Sequence, residues 1–184
     1  MGRLLVTTIS SLDGFIADEE GSFEWAMPSP AVHQAVNDLA DGVGTQLVGR
    51  RTYEFMTYWE TAPTDGDDPE AGFARMWQAL DKIVYSTTLE SAPYPRTRIE
   101  RTFDPEAVRA LVAASPHDVE IGGPTLAAEA WRAGLVDEVR QYLLPVVVGG
   151  GLPALPRGVR ARLQLTEQRT YPDGTVFLRH SVAR

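Results

Sequence analysis

The chain is predicted to be an α/β protein with a mostly parallel central sheet and an antiparallel hairpin at its edge. Two observations carry that expectation. Short apolar, β-branched runs alternate with helix-start signals along most of the 184 residues, the pattern of strand–helix–strand units. The last stretch instead holds two strand-like runs, 163–170 and 175–182, around Tyr171-Pro172-Asp173-Gly174, a turn sequence that reads as a hairpin.

Leu4–Ile9 is nearly continuous in apolar and β-branched residues, as a strand covered on both faces requires. Residues 10–27 follow as a long loop with Gly14, Gly21 and the acids Asp18, Glu19 and Glu20. A loop of that length in a compact protein is commonly functional. This one also carries Phe15, Ile16, Phe23 and Trp25, which resist full solvation. Pro30–Ala40 is predicted to be a helix, with Ser29 as N-cap, Pro30 at the first helical position and Val32, Val36, Leu39 and Ala40 as its core stripe. Thr45–Gly49 is a short strand, and Arg50–Met56 a helix. Residues 61–72, with Pro63, Asp65, Gly66, Asp67, Asp68, Pro69, Glu70 and Gly72 but no large apolar group, are expected to form an exposed loop. Asp81–Thr87 is a strand, and Asp104-Pro105-Glu106 opens a helix to Ala114. Asp118–Ile121 is a strand, and Pro124–Arg132 a helix closed by Gly134. Asp137–Val148 is a long strand ended by Gly149-Gly150-Gly151. No linker or repeat divides the chain, so 1–184 is expected to be one domain.

Composition narrows the function. Apolar residues make up 43% and charged residues 23%, ordinary for a globular protein. A net charge of −8 argues against nucleic acid as a partner, because that binding draws on a basic surface. No apolar stretch is long enough to span a membrane, and the start lacks a signal-peptide pattern. With no cysteine, thiol catalysis and zinc–thiolate sites are out, and a cytoplasmic location is expected. The three histidines, His33, His117 and His180, have no metal-ligand spacing, so no metal site is expected.

Three strand ends point to one ligand. Gly49-Arg50-Arg51-Thr52 is a glycine turn entering a helix whose first residues are two cations and a hydroxyl. Ser86 and Thr87 end a strand with hydroxyls. Ile121-Gly122-Gly123-Pro124-Thr125-Leu126 joins a buried strand to a helix through paired glycines, which let backbone approach a ligand and aim N–H groups at an anion. Ligands of open α/β sheets bind at the carboxyl ends of strands. Guanidinium groups and hydroxyls suit a 2′-phosphate and glycine N–H groups a pyrophosphate, so NADPH is favoured over NADH. Nothing like G-x-G-x-x-G follows the first strand, which excludes the Rossmann form of dinucleotide binding.

These segments, with Ser11-Leu12-Asp13-Gly14-Phe15-Ile16-Ala17, Val48–Glu54, Ala133–Glu138 and the stretch from Gly122 through Leu143-Leu144-Pro145 to Gly151, resemble the dihydrofolate-reductase-like superfamily. More narrowly they resemble the reductase domain of the bifunctional deaminase-reductases of riboflavin biosynthesis. The resemblance implies a three-layer sandwich, a homodimer, a small-molecule substrate and NADPH as cofactor. It implies that Gly49, Arg50, Arg51 and Thr52 hold phosphates, that Ser86 and Thr87 hold the 2′-phosphate, and that Gly122, Gly123, Pro124, Thr125 and Leu126 hold the pyrophosphate. Ile16 and Ala17 would lie against the nicotinamide. Asp13 is the candidate catalytic contact to substrate, and Trp25, Tyr53 and the Leu144–Val147 region are candidates for the substrate wall. The implied activity is reduction of 5-amino-6-(5-phosphoribosylamino)uracil, or of another small substrate such as a pterin, quinone or imine; a non-catalytic ligand-binding homologue is the third reading. Two positions depart from the relatives. Dihydrofolate reductases carry a carboxylate early in the first helix, where this chain has Ala31-Val32-His33-Gln34, and riboflavin reductases commonly carry glutamate where Ile121 stands. No general acid is therefore assigned from sequence.

Overall fold

The computed structural model describes residues 2–183. Its strands are β1 (Leu4–Ser11), β2 (Phe15–Ala17), β3 (Val43–Gly49), β4 (Asp81–Tyr85), β5 (Thr97–Glu100), β6 (Asp118–Gly122), β7 (Glu138–Leu144), β8 (Leu152–Pro153), β9 (Leu163–Thr170) and β10 (Val176–Val182). The helices are α1 (Pro30–Ala40), α2 (Arg50–Met56), α3 (Pro69–Ala79), α4 (Pro105–Ala114) and α5 (Pro124–Arg132). Eight strands form one sheet in the order β5-β4-β3-β6-β1-β7-β10-β9. Pairing is parallel from β5 to β7, and β10 joins β7 and β9 antiparallel, which is the expected parallel sheet with an antiparallel edge.

Because side chains alternate along a strand, the sheet has two distinct faces. Leu4, Val6, Leu47, Ile83, Val119, Ile121 and Val139 point to one side, where Val108 of α4 and Ala127, Ala130 and Trp131 of α5 cover them. Leu5 points to the other, packing with Val43, Trp77 and Leu80; nearby Val32 and Ala35 of α1 pack with Tyr142 and Phe177. The result is three layers, helix–sheet–helix.

Local chemistry sets the helix starts. Ser29 Oγ accepts from the Val32 N–H ahead of Pro30, and Asp104 accepts from the Glu106 N–H ahead of Pro105. Gly134 takes φ +64° just past α5, the left-handed stop that its position predicts.

Several expectations are corrected. The segment expected as an exposed loop over 61–72 passes into α3 at Pro69, because Asp68 caps it by accepting from the Ala71 N–H. Its stripe of Ala71, Ala74 and Trp77 is buried. The seventh strand ends at Leu144, not Val148: Pro145 has no N–H to continue the ladder, and the Val146 N–H turns back to the Leu144 carbonyl. Strand β4 ends at Tyr85 rather than Thr87. The long loop after β1 is partly ordered as β2, which pairs with β8.

Candidate active site

The three glycine- and hydroxyl-bearing strand ends lie side by side. Gly49 ends β3, Gly122 ends β6, and Ser86 follows β4, all at carboxyl ends of neighbouring parallel strands. Between the first two runs a cleft of about 540 Å³ lined by Gly49, Arg50, Arg51, Thr52, Gly123, Pro124, Thr125 and Leu126, so eight sequence candidates converge there. Tyr85, Glu129 and Leu152 complete its wall. It continues at Arg51, Thr52 and Pro124 into an open cleft of about 1000 Å³, where Ile16 and Ala17 face Phe23, Phe55, Arg157 and the Gly149–Gly151 turn.

The pinch between the starts of α2 and α5 is Gly123. Its φ of +84° is a conformation L side chains rarely adopt, and a Cβ there would stand 2.6 Å from Thr52 Oγ1. The glycine thus lets the α5 turn touch the first turn of α2. Among the described residues neither helix has a side-chain cap, so the N–H groups of Arg51 and Thr52 on α2 and of Thr125 and Leu126 on α5, where Pro124 carries none, meet no side-chain acceptor. Arg50 gives its Nε to Glu54 and a terminal nitrogen to Thr88 Oγ1. Arg51 has no hydrogen-bond or ion-pair partner among the described residues and is exposed in the cleft. An unpaired cation at a helix N-terminus opposes the dipole, a conflict that a bound anion removes.

A smaller recess of about 160 Å³ joins this floor, lined by Thr7, Thr8, Ile9, Ile16, Ile121, Gly123, Pro124 and Ala154 among others. The buried Thr8 Oγ1 has no partner among the described residues, an orphaned polar group of the kind a ligand amide satisfies.

Beneath the sheet, on its α1/α3 side, lies a cavity of about 210 Å³ that meets the cleft at Thr52 and Gly123. Its floor is polar. Glu120 Oε2 accepts from Thr7 Oγ1 at 2.8 Å, and Oε1 accepts from Gln46 Nε2 at 3.4 Å. Arg140 sits alongside but is held by Glu138 and the Leu39 carbonyl. Burial raises the pKa of the Glu120 carboxyl, against the smaller opposing effects of Thr7, Arg140 and Gln46. It keeps some accessible surface because it faces the cavity. Tyr142, wholly buried, lines the same space with a hydroxyl that has no partner among the described residues.

Other sequence candidates stand elsewhere. Asp13 is exposed and accepts from the Val148 and Gly149 N–H groups, tying the turn after β1 to the glycine triplet. The Ser11 hydroxyl and these backbone donors hold its carboxyl below the usual range, although burial opposes them. Tyr53 is turned away from the cleft into a cluster with Val48, Val84 and Tyr94, because α2 buries that face on the sheet. Trp25 donates its indole N–H to the Ser22 carbonyl and lines neither cleft. Ser86 is buried and accepts from the Thr88 and Leu89 N–H groups, its lone pairs used by the turn, while Thr87 is exposed and lines neither cleft. Leu144 is buried and Val147 exposed. Gly122 lines the inner cavity rather than the outer cleft.

Residues that pattern reading missed include Thr7, Gln46, Arg140 and Tyr142. Their signal was polarity at alternate positions of otherwise buried strands. Among the described residues no group of acids and histidines is placed to hold a metal, and no helix is long and apolar enough to cross a membrane.

Fold and cleft define an α/β protein of the dihydrofolate-reductase-like class. Residues 3–177 match the RibD C-terminal domain, and the chain belongs to that family. It is 27% identical over 179 residues to the uncharacterized protein YyaP of Bacillus subtilis (strain 168), covering 95% of this chain and 92% of that one. A putative riboflavin biosynthesis protein from Shewanella sp. PV-4 superposes with a TM-score of 0.78 at 21% identity, covering 99% of both chains. The deaminase/5-amino-6-(5-phosphoribosylamino)uracil reductase of Thermotoga maritima superposes at 0.66 with 16% identity, over 99% of this chain and 57% of that one. These two likenesses concern the fold.

Proposed function

We propose that the protein is an NADPH-dependent reductase of a small ring-containing substrate. The observation that carries this reading is the convergence of an unpaired Arg51, two uncapped helix starts and the Gly123 pinch on one cleft. The residues fit the cofactor: a Cβ-free turn leaves room for a pyrophosphate, Arg51 is free for a phosphate, and Thr8 Oγ1 awaits a hydrogen-bond partner. When bound, the reduced nicotinamide supplies a hydride. The protein's part is to orient the reactants and exclude water. Ile16 and the recess beside Gly123 form the apolar wall for the ring, and Arg50, Arg51 and Thr52 the phosphate side. Asp13 contributes by fixing the Val148–Gly149 turn that borders the open cleft.

Substrate choice follows from what the site lacks. Ile121 is buried against α5 and Val32 is fully buried, so neither position places a carboxylate toward a ligand. That favours an acceptor other than the pyrimidine ribitylamine precursor or a folate. NADPH oxidation followed across 5-amino-6-(5-phosphoribosylamino)uracil, dihydrofolate and menadione tests the reading. Oxidation of NADPH by any of them supports it; absence of both oxidation and NADPH binding sinks it.

A further inference from the structure

We propose that the cavity beneath the sheet receives the reducible end of the substrate and that Glu120 donates the proton to it. The inference rests on the reductase reading above. It starts from four strands that each place a polar residue on the same buried face: Gln46 on β3, Glu120 on β6, Thr7 on β1 and Arg140 on β7. A purely structural floor would be apolar there, because burying a carboxyl without an ionic partner is costly.

The geometry specifies what the carboxyl can do. Thr7 and Gln46 each offer a hydrogen to a different oxygen of Glu120, which fixes the plane of the carboxyl and leaves its remaining hydrogen-bonding capacity directed to the cavity. The charged and titratable groups facing it are few. Arg140 is committed to Glu138 and to the Leu39 carbonyl, and Tyr142 is a neutral phenol. From α1, α2 and α3 the cavity receives Val36, Leu39, Met56, Met76 and Trp77, all uncharged. Among the described residues no unpaired cation faces Glu120, and its burial, outweighing the charge of Arg140, favours the protonated acid.

The cavity shares Thr7 and Gly123 with the small recess that the reductase reading gives to the nicotinamide ring. A C=N or C=O bond lying there would take the hydride at carbon from the dihydronicotinamide, which becomes the oxidised pyridinium. The nitrogen or oxygen would take the Glu120 proton, and water would reprotonate the carboxylate after product leaves. The unpartnered Tyr142 hydroxyl supplies a second polar contact to an uncharged, planar ring. The acid thus comes from the sheet floor, opposite to the face of Ile121.

The test uses protein carrying ¹³C-labelled glutamate and the Glu120→Gln variant, which retains an oxygen for Thr7. In infrared difference spectra at pH 7, wild type should show a protonated carboxyl band that Glu120→Gln lacks, and NADP⁺ with one of the three acceptors should shift it. Steady-state NADPH oxidation should lose about 100- to 10,000-fold in kcat in the variant, with its alkaline decline abolished and NADPH affinity within about threefold. An ionised Glu120 at pH 7, a band that no acceptor moves, or a variant at the wild-type rate overturns the proposal. NADPH failing to bind wild type is a separate result, which defeats the reductase reading while the protonation state of Glu120 is read independently.

Discussion

Replacing Gly123 by alanine introduces one methyl group at the point where two helix starts meet. Two costs follow. The backbone holds φ +84° and ψ 125°, a region nearly closed to L side chains, and forcing one into it costs about 1–3 kcal/mol. The new Cβ would also lie 2.6 Å from Thr52 Oγ1, closer than any ordinary contact, so the Thr52 side chain must rotate or α5 must shift. Taking about 2–3 kcal/mol together, and a sensitivity of roughly 2–4 °C per kcal/mol for a chain of this size, the melting temperature should fall by about 4–12 °C. Any movement of α5 also displaces the N–H groups of Thr125 and Leu126, so NADPH should bind at least about tenfold more weakly, equivalent to about 1.4 kcal/mol. Thermal melting without ligand and fluorescence titration with NADPH measure the two effects. A variant with unchanged melting temperature and unchanged affinity would refute the reasoning that this glycine joins fold to ligand.

Arg51→Ala should weaken NADPH binding about tenfold or more, the value of a lost charge-assisted hydrogen bond, whereas Arg50→Ala should cost less because Glu54 and Thr88 already engage Arg50; equal effects in a binding titration would contradict this ranking. Tyr142→Phe removes a buried hydroxyl without a partner, so urea unfolding should change by less than about 1 kcal/mol while acceptor KM rises; a large destabilisation would reveal a hidden partner. His33 packs against Trp59 and Phe73, and burial lowers its pKa from 6.5 despite the opposing charges of Glu70 and Asp68. The unfolded chain therefore binds the proton more readily, and His33 contributes a loss of stability as pH falls below about 6.5 toward the folded-state pKa. Urea midpoints at pH 7.5 and 5.5 should differ more for wild type than for His33→Phe, and an identical pH dependence in the two would show that His33 is not responsible.

Much of the fold was legible where local chemistry and burial agree. Ser29-Pro30 and Asp104-Pro105 each combine a cap with a pre-set φ, and the helices begin there. Asp68-Pro69 carries the same signal, but the acids and glycines around it have the composition of a loop. Only the buried faces of Ala71, Ala74 and Trp77 reveal the helix. Strands β2 and β8 escaped because three and two residues give no period to read; they exist through long-range pairing of Phe15 with Pro153 and Ala17 with Leu152. The cluster lining the outer cleft was readable because glycines and cations at strand ends have a local physical meaning. The polar floor was not, because Thr7, Gln46, Glu120 and Arg140 are far apart in sequence and meet only through strand order. Tyr53 shows the converse: an aromatic in a promising motif faces the core once the pitch of α2 is fixed.

The most direct measurement is a pair of nicotinamide-fluorescence titrations of the wild-type protein with NADPH and NADH. A dinucleotide site built around the free Arg51 should bind NADPH at least about tenfold more tightly than NADH. Negligible binding of both would contradict it.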